Sequence, residues 1–231
     1  MGQFHYVEDY ERLVTNLIAA YPMEEAMSRA VGGNYEEIGL ILSEILVQNG
    51  LANGMKLIDL GCGSGRAAKA ISKRRQIEYL GIDIVQRLLD YAATVCPPHY
   101  KFRRSLNLAI DEPDGGADVI CAFSLFTHLL HEETYLYLEQ TYRCLKPNGK
   151  LIFSFLEFSQ SSHWDIFSQT VDARRNGTSS HLNMFIERNV IDKWSQSLGF
   201  SQPVFVSGTE TRWNGSALGQ SIAVLTKRFK I

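Results

Sequence analysis

The chain has little cysteine, no long apolar run and no excess of charge of one sign. Its four cysteines are far apart and none belongs to a C-x-x-C pair, which argues against a disulfide framework or a cysteine zinc site. Lys and Arg number 23 against 25 Asp and Glu, so a formal net charge of -2 offers no general basic field for a nucleic acid backbone. No apolar run approaches the roughly 18 residues that a membrane helix needs.

These absences narrow the class of protein. The first residues, MGQFHYVEDYERL, lack the charged-then-apolar layout of a secretory signal. We therefore expect a cytoplasmic protein with reduced thiols and with neither a membrane nor a nucleic acid partner. The 231 residues, 45% of them hydrophobic, suit one α/β domain with an addition.

The first fifty residues predict helices. YVEDYERLVTNLIAAY has apolar residues at helical spacing until Pro22 interrupts. In the next segment, NYEEIGLILSEILVQNGL, Asn34 with Glu37 three residues later predicts an N-cap with a capping box. We interpret residues 1–54 as a helical N-terminal extension, or lid, of a domain that spans residues 55–231.

From residue 55 onward, short apolar strands alternate with helical segments. The predicted strands are MKLIDL, EYLGID, HYKFRRS, ADVICAF and KLIFSF, and the predicted helices are GRAAKAISKR, VQRLLDYAATV and EETYLYLEQTYRCL, the last stopped by Pro147. Such alternation predicts a doubly wound sheet. After a helix ERNVIDKWSQSLGF, the strands PVFVS and SIAVLTKRF have no helix between them, so they must pair antiparallel. The prediction is an α/β fold with a seven-stranded, mostly parallel sheet and an antiparallel last strand.

The stretch LIDLGCGSGR is the strongest local signal. Asp59 ends the first strand, and Gly61, Gly63 and Gly65 follow at alternate positions. Glycines so spaced indicate a turn to which a ligand comes close, and strand, glycine turn and helix form the nucleotide site of such sheets. Asp83, at the end of the second strand, is placed to accept hydrogen bonds from ribose hydroxyls. The third glycine of the nicotinamide fingerprint would fall at position 66, which is arginine, so the spacing disfavours NAD.

With these motifs, the chain resembles the class I S-adenosylmethionine-dependent methyltransferases over roughly residues 55–230. LIDLGCGSGR is similar to their first motif, YLGID to the acid ending their second strand, and LKPNGKLIFSF to the segment leading into their fifth strand. The resemblance implies S-adenosylmethionine as the cofactor. The residues that it implies for cofactor binding are Asp59, Gly61, Cys62, Gly63, Gly65, Arg66, Asp83, Ile84, Leu106, Asn107, Phe123 and Ser124.

The resemblance also implies what these residues do. The glycine backbone would pack against the methionine part of the cofactor with Asp59 near its ammonium group, Asp83 would hold the ribose and Ile84 would lie against the adenine. Phe123 and Ser124, after the fourth strand, would face the cofactor and the incoming substrate. The chain departs from the family after the third strand, where many relatives carry an acid near the adenine amino group and this sequence has Leu106 or Asn107.

The segment FSLFTHLLHEET, directly after the fourth strand, offers a general base. A sulfonium methyl is already activated, so the enzyme mainly aligns a nucleophile and excludes water, while a base helps when the acceptor is a hydroxyl or protonated amine. His128 is the first candidate because it is nearest the strand end, followed by His131 and Glu132. A polar residue at a helix start, a stacking surface and a metal cluster are the alternatives. The zinc helix pattern places its ligands differently, so we expect no metal.

Two further segments predict substrate contacts. SFLEFSQSSHWDIF, interpreted as a loop after the fifth strand, contains Glu157, His163 and Trp164, and the loop between the final strands contains Trp213. Loops at strand ends shape substrate pockets, although packing under a lid explains the aromatic residues equally well.

Three other functions remain as alternatives. Tyr142 and Lys146 make the Y-x-x-x-K pair of a dehydrogenase, but Pro147 cuts the helix that this pair requires. A nucleic acid methyltransferase often has an Asn- or Asp-Pro-Pro-aromatic signature after the fourth strand, where this chain has AFSLF. A non-catalytic cofactor-binding relative that acts through protein partners is the third. The expected function is methyl transfer to an oxygen or nitrogen of a small-molecule metabolite.

Overall fold

A computed structural model describes residues 7–178 and 182–228 of the chain. The first six residues and the last residue of the predicted strand SIAVLTKRF lie outside the described residues. The helices are α1 Val7–Ala20, α2 Met23–Ala30, α3 Tyr35–Gln48, α4 Arg66–Ser72, α5 Gln86–Val95, α6 His131–Cys144, α7 Ser161–Arg175 and α8 Arg188–Leu198. The strands are β1 Lys56–Leu60, β2 Glu78–Asp83, β3 Lys101–Arg104, β4 Ala117–Ala122, β5 Leu145–Phe155, β6 Val204–Val206 and β7 Ser221–Thr226.

The strands form the predicted seven-stranded sheet, in the order β3-β2-β1-β4-β5-β7-β6. β1 pairs in parallel with β2 and β4, and β2 pairs in parallel with β3. β7 is antiparallel to both β5 and β6, as the missing helix between the last two strands predicts. The fold class is therefore confirmed.

The chain divides into two compact units. The first unit runs to Leu108 and also includes Ala117–Cys121, and the second comprises Ala109–Gly116 and the chain from Ala122 onward. Helices α1 to α3 belong to the same unit as β1, β2 and β3. The helical extension is thus part of the unit that carries the glycine turn.

The register of β1 and β2 positions that turn. Leu60 lies opposite Ile82, so the two parallel strands end at the same edge of the sheet. The turn leaves the end of β1, and Asp83 is the last residue of β2. Both strands are buried almost throughout, which explains their nearly continuous apolar sequence.

Several local predictions were wrong. Asn34 precedes α3 with a left-handed backbone, φ 47°, and its side chain makes no capping hydrogen bond, so the predicted capping box does not form. Pro147 lies inside β5 and does not end α6, because the helix already stops at Cys144. The segment with His163 and Trp164 is not a loop but the first turn of α7. Within the described ranges, no helix has the length and apolar composition needed to cross a membrane.

Candidate functional site

The glycine turn in the first unit requires glycine at three positions. Gly61, Gly63 and Gly65 have φ angles of 70°, 55° and 83°, in the left-handed region that a side chain disfavours. A Cβ atom on Gly63 would lie 2.7 Å from the Cγ1 atom of Val31, and one on Gly65 would lie 2.8 Å from the Cβ atom of Ala92. Backbone conformation disfavours larger residues at all three positions, and close packing does so at Gly63 and Gly65 as well.

Asp83 clamps this turn to the end of β2. One of its carboxylate oxygens, Oδ2, accepts a hydrogen bond from the Gly63 backbone N–H at 2.8 Å, and the other, Oδ1, accepts one from the Val85 N–H at 2.9 Å. The Gly61 N–H donates to the Ile82 carbonyl at 2.8 Å and continues the pairing of the strands. Burial raises the pKa of Asp83, and the backbone donors partly oppose this.

Asp59 is enclosed in the first unit. It is only 2% exposed, and its carboxylate accepts hydrogen bonds from the Tyr79 hydroxyl at 2.7 Å and from the Cys121 thiol at 3.3 Å. Burial raises its pKa from 3.8 to about 6, although the two donors favour the charged form. The unfolded chain releases this proton at lower pH than the folded protein does. Asp59 therefore reduces stability as the pH rises from 3.8 to about 6.

The N-terminal helices contact the turn directly. The hydroxyl of Tyr35, the first residue of α3, donates to the Ser64 carbonyl at 2.7 Å, and the Ser64 hydroxyl donates to the Met27 carbonyl of α2 at 3.1 Å. From α1, Tyr10 packs with Ile84 against one apolar cluster, and both burial and the nearby Asp83 raise the pKa of Tyr10. No local pattern in the sequence predicts these contacts, because they depend on how three helices pack.

The remaining cofactor candidates of the first unit differ in their surroundings. Burial lowers the pKa of Arg66, the first residue of α4, while the nearby Asp59 opposes that effect. Burial also raises the pKa of the Cys62 thiol well above its ordinary value. Leu106 is 36% exposed, and Asn107 has its Oδ1 atom 3.4 Å from the Ser105 hydroxyl oxygen.

In the second unit, Phe123 and Ser124 follow β4. Phe123 is buried, whereas Ser124 is half-buried and adopts a left-handed backbone with φ 55°. The Ser124 backbone N–H donates to the hydroxyl oxygen of Ser154, a β5 residue, at 2.7 Å. Strained residues that are held by their surroundings concentrate at functional sites. The left-handed backbone of Ser124 therefore makes the end of β4 a candidate functional site.

The two candidate histidines both bond to one segment, residues 182–186. His128 ends a short 3-10 helix, Phe126–His128, and its Nδ1 atom donates to the Leu182 carbonyl at 2.7 Å. His131, the first residue of α6, donates through Nε2 to the Phe185 carbonyl at 3.0 Å. A carbonyl oxygen can only accept a hydrogen bond, so the proton of a neutral imidazole lies on Nδ1 in His128 and on Nε2 in His131.

Glu157 and His163 are occupied by structural contacts. Arg188 binds both carboxylate oxygens of Glu157 at 2.8 Å, and the hydroxyls of Ser221 and Ser159 also donate to it. Burial opposes the charged form of Glu157, but these donors together lower its pKa. His163 is fully buried, donates through Nε2 to the Gly219 carbonyl and accepts at Nδ1 from the Glu157 N–H. Neither side chain enters the function proposed below.

The two candidate tryptophans have opposite environments. Trp213 is 2% exposed, which matches packing better than substrate contact. Trp164 is 52% exposed and belongs to a group of aromatic rings in the second unit, which we call the aromatic surface. Its members are Phe158, Trp164, Phe167 and Phe185, with neighbouring ring centroids 4.5 to 6.1 Å apart.

The dehydrogenase alternative finds no support in this geometry. Tyr142 lies on α6 and Lys146 on β5, so the Y-x-x-x-K pair does not share a helix. Over residues 7–178 and 182–228, no group of three or more His, Cys, Asp and Glu side chains is arranged to hold a metal ion.

The buried pair of Tyr79 and Asp59 makes a pH-dependent contribution to stability that can be tested. Tyr79→Phe removes the hydroxyl donor and keeps the ring that stacks on Tyr100. Well above the Asp59 pKa of about 6 the donor serves an anion, so its loss costs about 1.5–3 kcal/mol, whereas below it the loss falls to about 1 kcal/mol. Urea denaturation should therefore show a larger loss of unfolding free energy at pH of about 8 than at about 5.

Tyr135→Phe is the matched control, because its hydroxyl is exposed and contacts only the Ser197 hydroxyl among the bonds described, at 3.2 Å. We expect it to change the unfolding free energy by less than about 0.5 kcal/mol at either pH. An equal loss for Tyr79→Phe at both pH values would contradict the ionisation of Asp59 over this range.

Known proteins share parts of the sequence. A family model described as a methyltransferase domain matches residues 57–149. An uncharacterized methyltransferase of Schizosaccharomyces pombe is 30% identical over 130 residues, 56% of this chain and 49% of the relative. The 2-methyl-6-phytyl-1,4-hydroquinone methyltransferase of Synechocystis is 24% identical over 150 residues, 63% of this chain and 42% of the relative. The chain thus spans about half the length of these relatives or less.

Solved structures share the fold at lower identity. Phosphoethanolamine N-methyltransferase 2 of Haemonchus contortus, solved in complex with S-adenosyl-L-methionine, superposes with a TM-score of 0.69 at 12% identity. The match covers 99% of this chain and 60% of that one. Residues 57–149 thus match a methyltransferase domain, and the chain shares the fold of solved S-adenosylmethionine-dependent methyltransferases.

Proposed function

We propose that the protein transfers the methyl group of S-adenosylmethionine to an oxygen or nitrogen of a small-molecule metabolite with an aromatic ring. The observation that carries the proposal is the glycine turn that Asp83 clamps at the end of β2. The clamp supports the cofactor, and in the second unit His128 and the aromatic surface are features suited to an acceptor.

The residues of the first unit fit the cofactor. An ionised carboxylate has about four lone-pair sites, and the backbone donors to Asp83, from Gly63, Ile84 and Val85, leave acceptor capacity for a ribose hydroxyl. The glycine turn carries no side chains at Gly61, Gly63 and Gly65, so a ligand can lie directly on the backbone. Arg66 would supply positive charge for the methionine carboxylate, and Ile84 an apolar surface for the adenine. When bound, the cofactor supplies an activated methyl group.

His128 is the residue that we propose as general base. Its proton on Nδ1 is fixed by the Leu182 carbonyl, so Nε2 is the atom that would accept a proton from the acceptor. His131 has the reverse arrangement, with Nε2 bonded to the Phe185 carbonyl and its ring edge-to-face with Trp194. This packing favours a supporting role for His131.

The aromatic surface favours an aromatic acceptor. Phe158 and Trp164 are 44% and 52% exposed, although burying rings of this size is strongly favourable. Phe158 lies just beyond β5, at the edge of the sheet where ligands bind in this fold. The names of the similar proteins mention both a hydroquinone and phosphoethanolamine, so relatives alone do not decide the acceptor.

The cofactor proposal is tested by calorimetric titration with S-adenosylhomocysteine and, separately, with NAD. Asp83→Ala removes the acceptors proposed for the ribose, so we expect its dissociation constant for S-adenosylhomocysteine to rise about 100-fold or more. Asp83→Asn retains one acceptor oxygen and should lose less. Asp90→Ala, at an exposed site on α5, is the control and should bind as the wild type does. Binding of NAD without S-adenosylhomocysteine would overturn the proposal.

The role of His128 is tested by His128→Asn, whose amide can still donate to the Leu182 carbonyl but cannot accept the proton. We expect the methyl-transfer rate to fall about 10²- to 10⁴-fold with S-adenosylhomocysteine affinity unchanged. His99→Asn, at an exposed position in the first unit, is the matched control. A wild-type rate in His128→Asn would rule out His128 as the base.

The acceptor class is tested by a screen of phenols, hydroquinones and aryl amines, with phosphoethanolamine as the non-aromatic comparison and S-adenosylhomocysteine release as the readout. For an aromatic acceptor, we expect Trp164→Ala to raise KM about tenfold and to leave kcat unchanged, because stacking stabilises bound substrate and transition state alike. Leu136→Ala, an exposed apolar residue of α6, is the control. Turnover of phosphoethanolamine alone would contradict the aromatic class.

A further inference from the structure

Ser124 has an unusual backbone for its residue type. Among the residues that the structure describes, four non-glycine residues have positive φ, and the other three, Asn34, Asn148 and Asn214, are all asparagine. Asparagine tolerates this conformation because its short amide can bond locally. Serine is less suited to it, so the surrounding residues must hold Ser124 in place.

A closed set of hydrogen bonds holds Ser124 in this conformation. The Ser124 N–H donates to the Ser154 hydroxyl oxygen at 2.7 Å, and the Ser154 hydroxyl in turn donates to Oε1 of Gln220 at 2.5 Å. The Ser124 hydroxyl donates to the same Gln220 oxygen at 3.2 Å. Ser124 is thus bound through both its backbone and its side chain by Ser154 of β5 and by Gln220, the residue before β7.

The orientation of the Gln220 amide follows from which hydroxyl protons need an acceptor. Ser154 is fully buried and already accepts the Ser124 N–H, so its own hydroxyl proton needs an acceptor. The Gln220 carbonyl oxygen, with two lone pairs, can accept from both serine hydroxyls at once. An amide turned the other way would leave the buried Ser154 proton unsatisfied.

The same strand also holds the next part of the chain. Phe126, two residues after Ser124, is fully buried and packs edge-to-face on Phe153 of β5, with the two ring centroids 5.0 Å apart. Successive strand residues point to opposite faces of a sheet. Phe153 packs on Phe126 and Ser154 bonds to Ser124, so two neighbouring β5 residues hold the turn that leads from β4 to the 3-10 helix. That helix ends at His128, whose ring direction depends on where the turn leaves it.

We propose that Ser154 and Gln220 are positioning residues that hold Ser124 in its left-handed conformation and thereby set the position of the His128 ring. The catalytic meaning of this arrangement rests on the proposed function, whereas the structural claim can be tested without any methyl transfer. Sequence reasoning missed both residues, because a serine in a strand and a glutamine at a strand start are ordinary surface or core polar residues.

The test is NMR spectroscopy of the full chain, in which the amide exchange rate of residue 124 and the tautomer of the His128 ring are measured together. Gln220→Ala and Ser154→Ala should each raise the Ser124 exchange rate about tenfold and convert His128 from a pure Nδ1–H form to a mixture of tautomers. Gln220→Glu keeps an acceptor oxygen at the same reach and should restore both signals. Gln196→Ala, at an exposed site on α8, should change neither.

A glycine background separates positioning from general loss of stability. Glycine adopts positive φ without help, so Gln220→Ala should disturb the His128 tautomer less in a Ser124→Gly protein than in the wild type. The proposal is overturned if Gln220→Ala leaves the Ser124 exchange rate and the His128 tautomer as they are in the wild type. It is also overturned if Gln220→Ala is equally disruptive in the glycine background. Neither readout involves cofactor binding, so a failed S-adenosylhomocysteine titration would count against the proposed function and leave this result standing.

Discussion

The hydrogen bonds that Asp83 accepts from Gly63 and Val85 determine much of the first unit. They join the ends of two neighbouring strands and hold the glycine turn between them. Helix α4 begins directly after that turn, and helices α2 and α3 contact it through Met27 and Tyr35. A single carboxylate therefore joins the strand ends to the turn on which these helices pack.

The second unit depends on buried polar groups in a different way. Glu157 is held by Arg188 and by serine hydroxyls, and His163 bridges two backbone segments. Such saturated groups fix loops and strand ends, because leaving any of them unpaired would be costly. His128 and His131 each bond through one ring nitrogen to a backbone carbonyl, which orients the ring.

The sequence predicts two features well, the alternation of strands and helices and the turn whose backbone requires glycine. Alternation of strands and helices predicted the sheet, and the spacing of Gly61, Gly63 and Gly65 predicted a backbone turn that the structure confirms. Packing over that turn by Tyr35, and the bonding of Ser124 by Gln220, were not predictable because the partners lie far apart in sequence. Residue type alone also failed to separate titratable groups that hold the fold from groups suited to chemistry.

The burial of Cys62 matters for a protein that handles an alkylating cofactor. A thiolate is a strong nucleophile and could attack an alkylating cofactor. Burial raises the pKa of this thiol well above its ordinary value, so it stays protonated and weakly nucleophilic. The thiols of Cys96, Cys121 and Cys144 also have pKa values raised by burial. The raised pKa values favour the protonated, less nucleophilic form of all four thiols.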